Sequence, residues 1–301
     1  MGIDLGGTKI EAAVLDEAGL ILYRKRVPTP TGDYGATLAV VAALVEDAQR
    51  HFGPADGIGI GTPGAISKAT GLIKNSNSVC LNGRNLLGDL QDRLGRTIFL
   101  ANDANCFALS EATDGAATGA GIVFGVILGT GVGGGLVVDG RIVDGPNGIT
   151  GEWGHNPLHL GGGTGRDAPR ACYCGRAGCV ETFLSGPALE RDHAWTAGGP
   201  APQAPISAER IAQLAQAGDA RSRESLERYA RRLAQALAVV INIVDPDVIV
   251  LGGGVSNIDF LYEGVPRYWA HWVFSDEVRT RLVRNRHGDS SGVRGAAWLS
   301  K

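Results

Sequence analysis

Six residues between positions 151 and 181 combine metal-binding side chains with side chains that bind polar ligands. They are Glu152, His155, Cys172, Cys174, Cys179 and Glu181. Three thiols and one imidazole form a closed Cys₃His set, the usual ligand set of a structural zinc ion that keeps no position open for water. The short cysteine spacing, with glycines in between, lets the chain curl around one ion, although ordinary reduced cysteines or a redox pair are alternatives. The sequence therefore predicts a structural zinc site made of His155, Cys172, Cys174 and Cys179.

Two carboxylates flank this set. Glu152 lies three residues before the histidine, and Glu181 lies two residues after the last cysteine. A metal ion that holds this loop would also hold both carboxylates in place. We therefore expect the zinc to be a scaffold for a polar binding site.

Three predicted strands end in glycine-rich turns. Such a turn brings backbone N–H groups close to a phosphate, although a Gly-Gly turn can also be an ordinary hairpin. The carboxylate of Asp4, before the first turn, is suited to holding magnesium through water. Three turns of this kind together predict a nucleoside phosphate lying against the backbone. The turns contain Gly6, Gly7, Thr8 and Lys9, then Gly129, Thr130 and Gly131, and finally Gly253 and Gly254.

Asp103 lies between a predicted strand at 97–101 and a predicted helix at 106–112. This position favours an aspartate that caps the helix N-terminus. Capping is compatible with a catalytic role, so both interpretations stay open at this point. Two polar loops, at 62–64 and 75–83, are further places where binding residues tend to lie.

The predicted elements occur twice in the same order, namely three strands, helix, strand, helix, strand and helix. This duplication predicts two α/β domains that face each other across a cleft. We expect a small N-terminal domain at 1–118, completed by a C-terminal helix at about 288–301. A larger domain at 119–287 would carry the zinc-binding loop. Glycine-rich loops are predicted at 160–171, where the chain should be mobile, and at 196–205.

Composition excludes several classes of protein. The chain has 301 residues, enough for two domains, and its net charge of -3 offers no basic patch for nucleic acid. No apolar run has the length of a membrane span, and the N-terminus does not resemble a signal peptide. We therefore expect a soluble, cytoplasmic protein with small-molecule partners. Cys80 and Cys106 do not form a disulfide framework and should be buried or half-buried thiols.

Seven motifs in a fixed order resemble the ROK family of bacterial sugar kinases, and they are most similar to its fructokinase/mannokinase branch. The resemblance covers nearly the whole chain. It implies an actin/hexokinase-like α/β fold, in which two ribonuclease H-like domains enclose a central ATP and sugar cleft. It also implies that ATP and magnesium serve to phosphorylate the 6-hydroxyl of a hexose, with D-fructose as the expected sugar and mannose or glucose as further substrates. The motifs are DLGGTKI at 4–10, LANDANC at 100–106, LGTGVGGG at 128–135, GEWGHNPL at 151–158, CYCGRAGCVETF at 172–183, VDPDVIVLGGGVSN at 244–257 and HGDSSGVRGAAWL at 287–299.

The resemblance also implies roles for individual residues. Asp103 corresponds to the catalytic base that accepts the proton of the sugar hydroxyl, and phosphoryl transfer otherwise requires mainly positioning and charge neutralisation. The implied sugar-binding residues are Asn102, Glu152, His155, Glu181, Gly64 and Asn77, with His155 also a zinc ligand. The implied ATP-binding residues are Asp4, Gly6, Gly7, Thr8, Lys9, Gly129, Thr130, Gly131, Gly253 and Gly254.

Two features depart from the family pattern, and several alternatives stay open. The first strand is short before Asp4, and the loop at 160–171 could alter access of the sugar. An N-acetylglucosamine kinase or a glucokinase is the alternative within the family. A sugar-responsive transcriptional regulator would need a helix-turn-helix domain ahead of the first strand, and we expect none because nothing precedes Met1. A glycosidase using Glu152 and Glu181 would leave the glycine turns unexplained. A homodimer is expected from the family alone.

Overall fold

The computed structural model describes residues 1–161, 165–196, 199–200 and 206–301. Internal packing divides the chain into two compact units. The first comprises Met1–Gly119, Gly135–Gly151 and Arg286–Lys301, and the second comprises Ala120–Gly134 and Glu152–Asn285. The sequence had placed residues 135–151 in the larger, C-terminal domain, whereas they pack in the first unit. Whether the predicted boundaries delimit independent domains stays a prediction. Most of the predicted loop at 196–205, and residues 162–164 of the loop at 160–171, lie outside the described residues.

The first half of the chain forms a five-stranded sheet with the order β3-β2-β1-β4-β7. β1 runs parallel to β4, and β4 runs parallel to β7, whereas β2 and β3 are antiparallel to their neighbours. The elements are β1 (Gly2–Leu5), β2 (Lys9–Leu15), β3 (Ile21–Pro28), α1 (Tyr34–Phe52), β4 (Ile58–Thr62), the short hairpin β5 (Ala65–Ile66) and β6 (Ile73–Lys74), α2 (Leu86–Leu94), β7 (Ile98–Asn102) and α3 (Asp103–Thr113).

The same topology returns from Ile122 onwards, in a sheet with the order β10-β9-β8-β13-β14. The elements are β8 (Ile122–Leu128), β9 (Val132–Val138), β10 (Arg141–Ile142), α4 (Glu181–Leu184), α5 (Gly186–Ala194), β11 (Trp195–Thr196), β12 (Gly199–Pro200), α6 (Ala208–Gln216), α7 (Ala220–Val244), β13 (Val248–Gly252), α8 (Phe260–Trp269), β14 (Arg281–Arg284) and α9 (Ser291–Trp298). The predicted duplication of three strands, helix, strand, helix, strand and helix is confirmed. An insertion between β10 and α7 carries the cysteine cluster.

Amphipathic helices cover the first sheet because their apolar side chains recur at helical spacing. In α1, Leu38, Val41, Val45 and Ala48 are buried, and the Asp33 side chain accepts a hydrogen bond from the backbone N–H of Ala36 at the helix start. Phe52 continues the same apolar spacing, but it is 48% exposed because it is the last residue of the helix.

α3 is tied to the C-terminal segment through Glu111, a fully buried carboxylate. It accepts hydrogen bonds from the backbone N–H groups of Ala116 and Arg286 and from the hydroxyl of Ser291. A buried carboxylate needs several donors of this kind to offset its lost hydration. Glu111 therefore anchors α9 to the helix that begins at Asp103.

No helix of the described residues is long and apolar enough to cross a membrane. The thiol of Cys106 is buried and that of Cys80 is half-buried, as predicted.

Candidate active site

In the first unit, the parallel strands bring four predicted site residues to one edge of the sheet. Asp4 pairs with Gly61 of β4, and Asn102 of β7 pairs with Thr62. Because the carboxyl ends of parallel strands meet at the same edge, Asp4, Gly64, Asn102 and Asp103 lie where the chain leaves the sheet.

The helix cap at this edge is Asn102, and Asp103 is the first helical residue. The Asn102 side-chain oxygen accepts a hydrogen bond from the backbone N–H of Ala104 at 2.8 Å, and its amide donates to the carbonyl of Gly64 at 2.8 Å. The Asp103 carboxylate also accepts from the backbone N–H of Ala104, at 2.8 Å. The sequence had favoured Asp103 as the cap. Because Asn102 takes that position, the Asp103 carboxylate stays at the helix N-terminus, where negative charge is stabilised.

Asp4 has an unusual electrostatic environment. Burial, and next the negative charge of Asp103, raises the pKa of Asp4 to about 7, with a smaller contribution from Glu11. Lys9 and Arg26 oppose this shift only weakly. A carboxyl that is costly to ionise beside another carboxylate is a suitable partner for a cation.

The first glycine turn and the neighbouring loop are held by local hydrogen bonds. The backbone N–H of Gly6 donates to the carbonyl of Lys9 at 3.0 Å, and the Thr29 hydroxyl donates to the carbonyl of Gly6. Gly64 has a φ of +81°, and a Cβ at this position would lie 2.5 Å from the carbonyl oxygen of Lys74, so only glycine fits. Asn77 is exposed on the loop that follows β6.

In the second unit, two glycine turns follow adjacent strands. β8 and β13 pair in parallel, with Gly252 opposite Ile127, so the turns at Gly129 and Gly253 emerge side by side. Gly253 has a φ of +80°, and a Cβ there would lie 2.5 Å from the carbonyl oxygen of Leu128. Both turns therefore lie at the same edge of the sheet, where glycine-rich backbone is suited to a phosphate chain.

A cavity of about 250 Å³ lies between α6, α7 and the start of α8, beside the segment that follows the turn at Gly253. It is bordered by the residues that follow this turn, Asn257 and Ile258, and by apolar side chains of α6, α7 and α8, including Ala212, Leu226 and Phe260. A mostly apolar cavity with a few polar groups at its border is typical of a site for a flat heterocycle.

The two predicted sugar-binding carboxylates both lie close to the second glycine turn. Glu181 begins α4, and its Oε2 accepts a hydrogen bond from the backbone N–H of Val132 at 2.9 Å. Glu152 is exposed, and the next residue, Trp153, donates from its indole Nε1 to the carbonyl of Gly133 at 2.9 Å. Trp153 is only 5% exposed, so it fixes the segment that carries Glu152. Sequence reasoning missed this role of Trp153.

The predicted zinc ligands come together. The ligand atoms of His155, Cys172, Cys174 and Cys179 all lie within 4.8 Å of one another. Nδ1 of His155 faces the sulfur of Cys172 at 3.6 Å, and the sulfurs of Cys174 and Cys179 are also 3.6 Å apart. Three thiols and one imidazole fit a tetrahedral zinc ion.

Neighbouring groups act on the thiols and on the imidazole of this cluster. Hydrogen bonds from the backbone and side chain of Arg176 lower the pKa of the Cys174 thiol, whereas burial, and next the hydrogen bond with Cys174, raises the pKa of Cys179. Nε2 of His155 lies 3.0 Å from the hydroxyl of Tyr173, an exposed residue that sequence reasoning did not single out. This contact orients the imidazole so that Nδ1 faces the sulfurs.

Asp192 anchors the loop before Cys172. It is 2% exposed and lies within 4 Å of four arginine side chains, those of Arg166, Arg170, Arg228 and Arg232. Burial alone would favour the neutral acid, but Arg232, followed by Arg228, holds the pKa of Asp192 below its usual range.

Arg170 links this cluster to the helix that carries Glu181. It donates to the carbonyl of Thr182 at 3.0 Å and stacks on the ring of Phe183. Residues 165–171, predicted to be mobile, are therefore held in place. No sequence pattern showed this cluster because its members are widely separated along the chain.

The chain belongs to the ROK family, whose model matches residues 1–301. It is 44% identical to the N-acetyl-D-glucosamine kinase of Escherichia coli O6:H1 over 99% of this chain and 98% of that protein. Its fold matches the ROK hexokinase from Thermus thermophilus, with 35% identity, a TM-score of 0.84 and coverage of 99% and 96%. It also matches a ROK family glucokinase from Streptomyces griseus in complex with glucose and AMPPNP, with 28% identity, a TM-score of 0.77 and coverage of 99% and 97%.

These similarities confirm the predicted family and the predicted hexokinase-like α/β fold. They do not support the predicted preference for fructose, because the full-length relatives are N-acetylglucosamine kinases.

Proposed function

We propose that this ROK protein is an ATP-dependent sugar kinase that transfers the γ-phosphoryl group to the 6-hydroxyl of N-acetyl-D-glucosamine. The observation that carries the choice of sugar is the 44% identity, over nearly the full length of both chains, to an N-acetyl-D-glucosamine kinase. Glucose is the competing sugar, because the chain also resembles a glucokinase with bound glucose.

Asp103 is the proposed catalytic base. Its carboxylate lies at the start of α3, where the helix N-terminus favours the negative charge that a base needs. It would accept the proton of the sugar hydroxyl as the oxygen attacks the γ-phosphorus, and the bond to the leaving ADP oxygen would break. The sugar would be held by hydrogen bonds with Asn102, Glu152, His155, Glu181, Gly64 and Asn77, in which the two carboxylates can each accept from several hydroxyls.

The glycine turns are the proposed binding site for the phosphates of ATP. Backbone N–H groups of the turns that contain Gly6 and Gly129 would face the phosphate chain. The adenine ring of ATP would occupy the cavity beside the segment that follows Gly253. Thr8, Lys9, Gly7, Thr130, Gly131 and Gly254 complete the proposed ATP site. Asp4 fits magnesium, because its carboxyl is buried next to that of Asp103 without a strong cationic partner. Bound magnesium would neutralise charge on the phosphates.

Zinc is the proposed resident metal of the Cys₃His cluster, held by His155, Cys172, Cys174 and Cys179. With all four positions taken by protein ligands, it would have no catalytic role. It would instead hold the loop between the segments that carry Glu152 and Glu181. The predicted homodimer and the predicted cytoplasmic location stay predictions.

The test of the substrate is ADP release from ATP and magnesium with N-acetylglucosamine, glucose, mannose or fructose, compared as kcat/KM. We expect N-acetylglucosamine to lead. A lead for another hexose would keep the mechanism and change the sugar assignment. Sugar binding without any ADP release would point instead to a sugar-responsive regulator.

The test of the base is Asp103→Asn. The substitution keeps the shape of the side chain and removes the proton acceptor, so kcat should fall by about two to four orders of magnitude while sugar affinity changes little. Asp92→Asn, on the exposed surface of α2, is the control and should behave as wild type. An unchanged kcat for Asp103→Asn would refute the assignment.

A further inference from the structure

Glu181 connects two parts of the proposed site that bind different substrates. It is a proposed sugar ligand, yet its Oε2 already accepts the backbone N–H of Val132 at 2.9 Å. Val132 directly follows the glycine turn at 129–131, which is a proposed phosphate-binding turn. One carboxylate therefore contacts the turn and has a second oxygen that can accept a sugar hydroxyl.

The segment that begins at Glu181 also contacts the first residue of the turn, Gly129. The backbone N–H of Gly186, the first residue of α5, donates to the carbonyl of Gly129 at 2.8 Å. Inside the turn, the N–H of Gly129 donates to the carbonyl of Gly131 at 3.0 Å. Residues 181–186 thus bind both ends of the phosphate turn, and the Glu181 side chain supplies one of the two contacts.

Gly131 is what allows the carboxylate to approach the turn. A Cβ at this position would lie 2.5 Å from Oε2 of Glu181 and 3.5 Å from its carboxyl carbon. Its backbone φ lies outside the left-handed region, so the glycine is not required by the backbone conformation. In contrast, a Cβ at Gly35, in α1, would lie at an ordinary contact distance of 3.6 Å from Oδ1 of Asp33, and its φ is also outside the left-handed region.

We propose that Glu181 is a positioning residue that couples sugar binding to nucleotide binding, an inference that rests on the proposed kinase function. A sugar hydroxyl bound to one oxygen of Glu181 restrains the carboxylate, and the other oxygen then restrains the phosphate turn. The nucleotide binds a turn whose ordering has already occurred, so each substrate strengthens the binding of the other. By thermodynamic reciprocity, the sugar must change the affinity for the nucleotide by the same factor as the nucleotide changes the affinity for the sugar. A factor of about ten is within the usual range of such coupling.

The experiment is titration calorimetry of N-acetylglucosamine into the full chain, with and without a non-hydrolysable ATP analogue. In wild type we expect the analogue to tighten sugar binding about tenfold. Gly131→Ala should weaken sugar binding without any nucleotide by about tenfold and reduce the coupling to nearly one, because the methyl group displaces the carboxylate. Gly35→Ala, at an exposed glycine of α1, is the matched control and should change sugar affinity without nucleotide by less than about twofold.

Two results would overturn the inference, namely equal sugar affinity of wild type and Gly131→Ala without nucleotide, or a wild-type coupling factor of one. Either result leaves the proposed function intact if wild type still releases ADP with the sugar. If Gly131→Ala does not fold, Glu181→Ala decides. It removes both the contact with the backbone N–H of Val132 and the acceptor for the sugar hydroxyl, so undiminished coupling in that variant would also overturn the proposal. Wild type that binds no hexose would overturn both claims.

Discussion

In the absence of magnesium, replacing Asp4 by asparagine should raise the free energy of unfolding, and this increase should grow with pH. Burial, and then the charge of Asp103, raises the pKa of Asp4 from 3.8 to about 7. Because one pKa unit corresponds to about 1.4 kcal/mol, ionising Asp4 in the folded protein costs at most about 4 kcal/mol. This is an upper limit, since part of the residue is still in contact with solvent.

The sign follows from proton linkage. A carboxyl whose pKa is raised by folding binds its proton more tightly in the folded state than in the unfolded state. Wild type therefore loses stability through Asp4 as the pH rises from about 4 to above 7, and Asp4→Asn removes that loss. The two proteins should be similar near pH 4 and should differ by up to about 4 kcal/mol at pH 8.

The assay is urea denaturation followed by circular dichroism, in a chelating buffer, at about pH 5 and pH 8. Glu17→Gln removes an exposed carboxylate of the same unit and should change the free energy of unfolding by less than about 0.5 kcal/mol at both values. If Asp4→Asn is no more stable than wild type at pH 8, burial and Asp103 do not destabilise the Asp4 carboxylate, and the argument for a cation at this position fails.

Two further predictions concern the scaffold. Cys174→Ser should lose zinc, as measured by elemental analysis, and should have a higher KM for the sugar because the segments that carry both sugar-binding carboxylates loosen. Cys80→Ser, outside the cluster, is the control and should keep its zinc. A full zinc content in Cys174→Ser would contradict the proposed zinc site. Asp192→Asn leaves four arginines around a buried neutral side chain and should cost about 3 to 5 kcal/mol of unfolding free energy near neutral pH. The difference should shrink as the pH falls below about 4, because wild type then protonates Asp192. Glu224→Gln, at the 72% exposed end of the same network, should cost less than about 1 kcal/mol, and equal effects of the two substitutions would refute the importance of burial.

The duplicated fold was predictable because its signals are local. Glycine turns after Leu5 and Leu128 mark the first strand of each half, and apolar periodicity marks the helices between the later strands. The Cys₃His cluster was equally clear, since three of its members lie within eight residues.

The features that sequence reasoning missed depend on contacts between distant residues. Asp192 meets Arg232 from another helix, forty positions further along the chain. The contact between Glu181 and Val132 links motifs that were interpreted separately, as a sugar site and a phosphate site. Asn102 and Asp103 are both good helix caps, so the sequence could not decide between them. The predicted preference for fructose is not supported, because the relative that matches nearly the whole chain at 44% identity is an N-acetyl-D-glucosamine kinase.

The most direct test of the central claim is product analysis of a reaction containing the protein, ATP, magnesium and N-acetylglucosamine. Mass spectrometry and phosphorus NMR would identify the products. The account predicts one equivalent of ADP for each equivalent of sugar phosphate, with the phosphate on the 6-hydroxyl. Asp103→Asn should form this sugar phosphate far more slowly than wild type. Release of ADP without any sugar phosphate, or no reaction with any hexose, would contradict it.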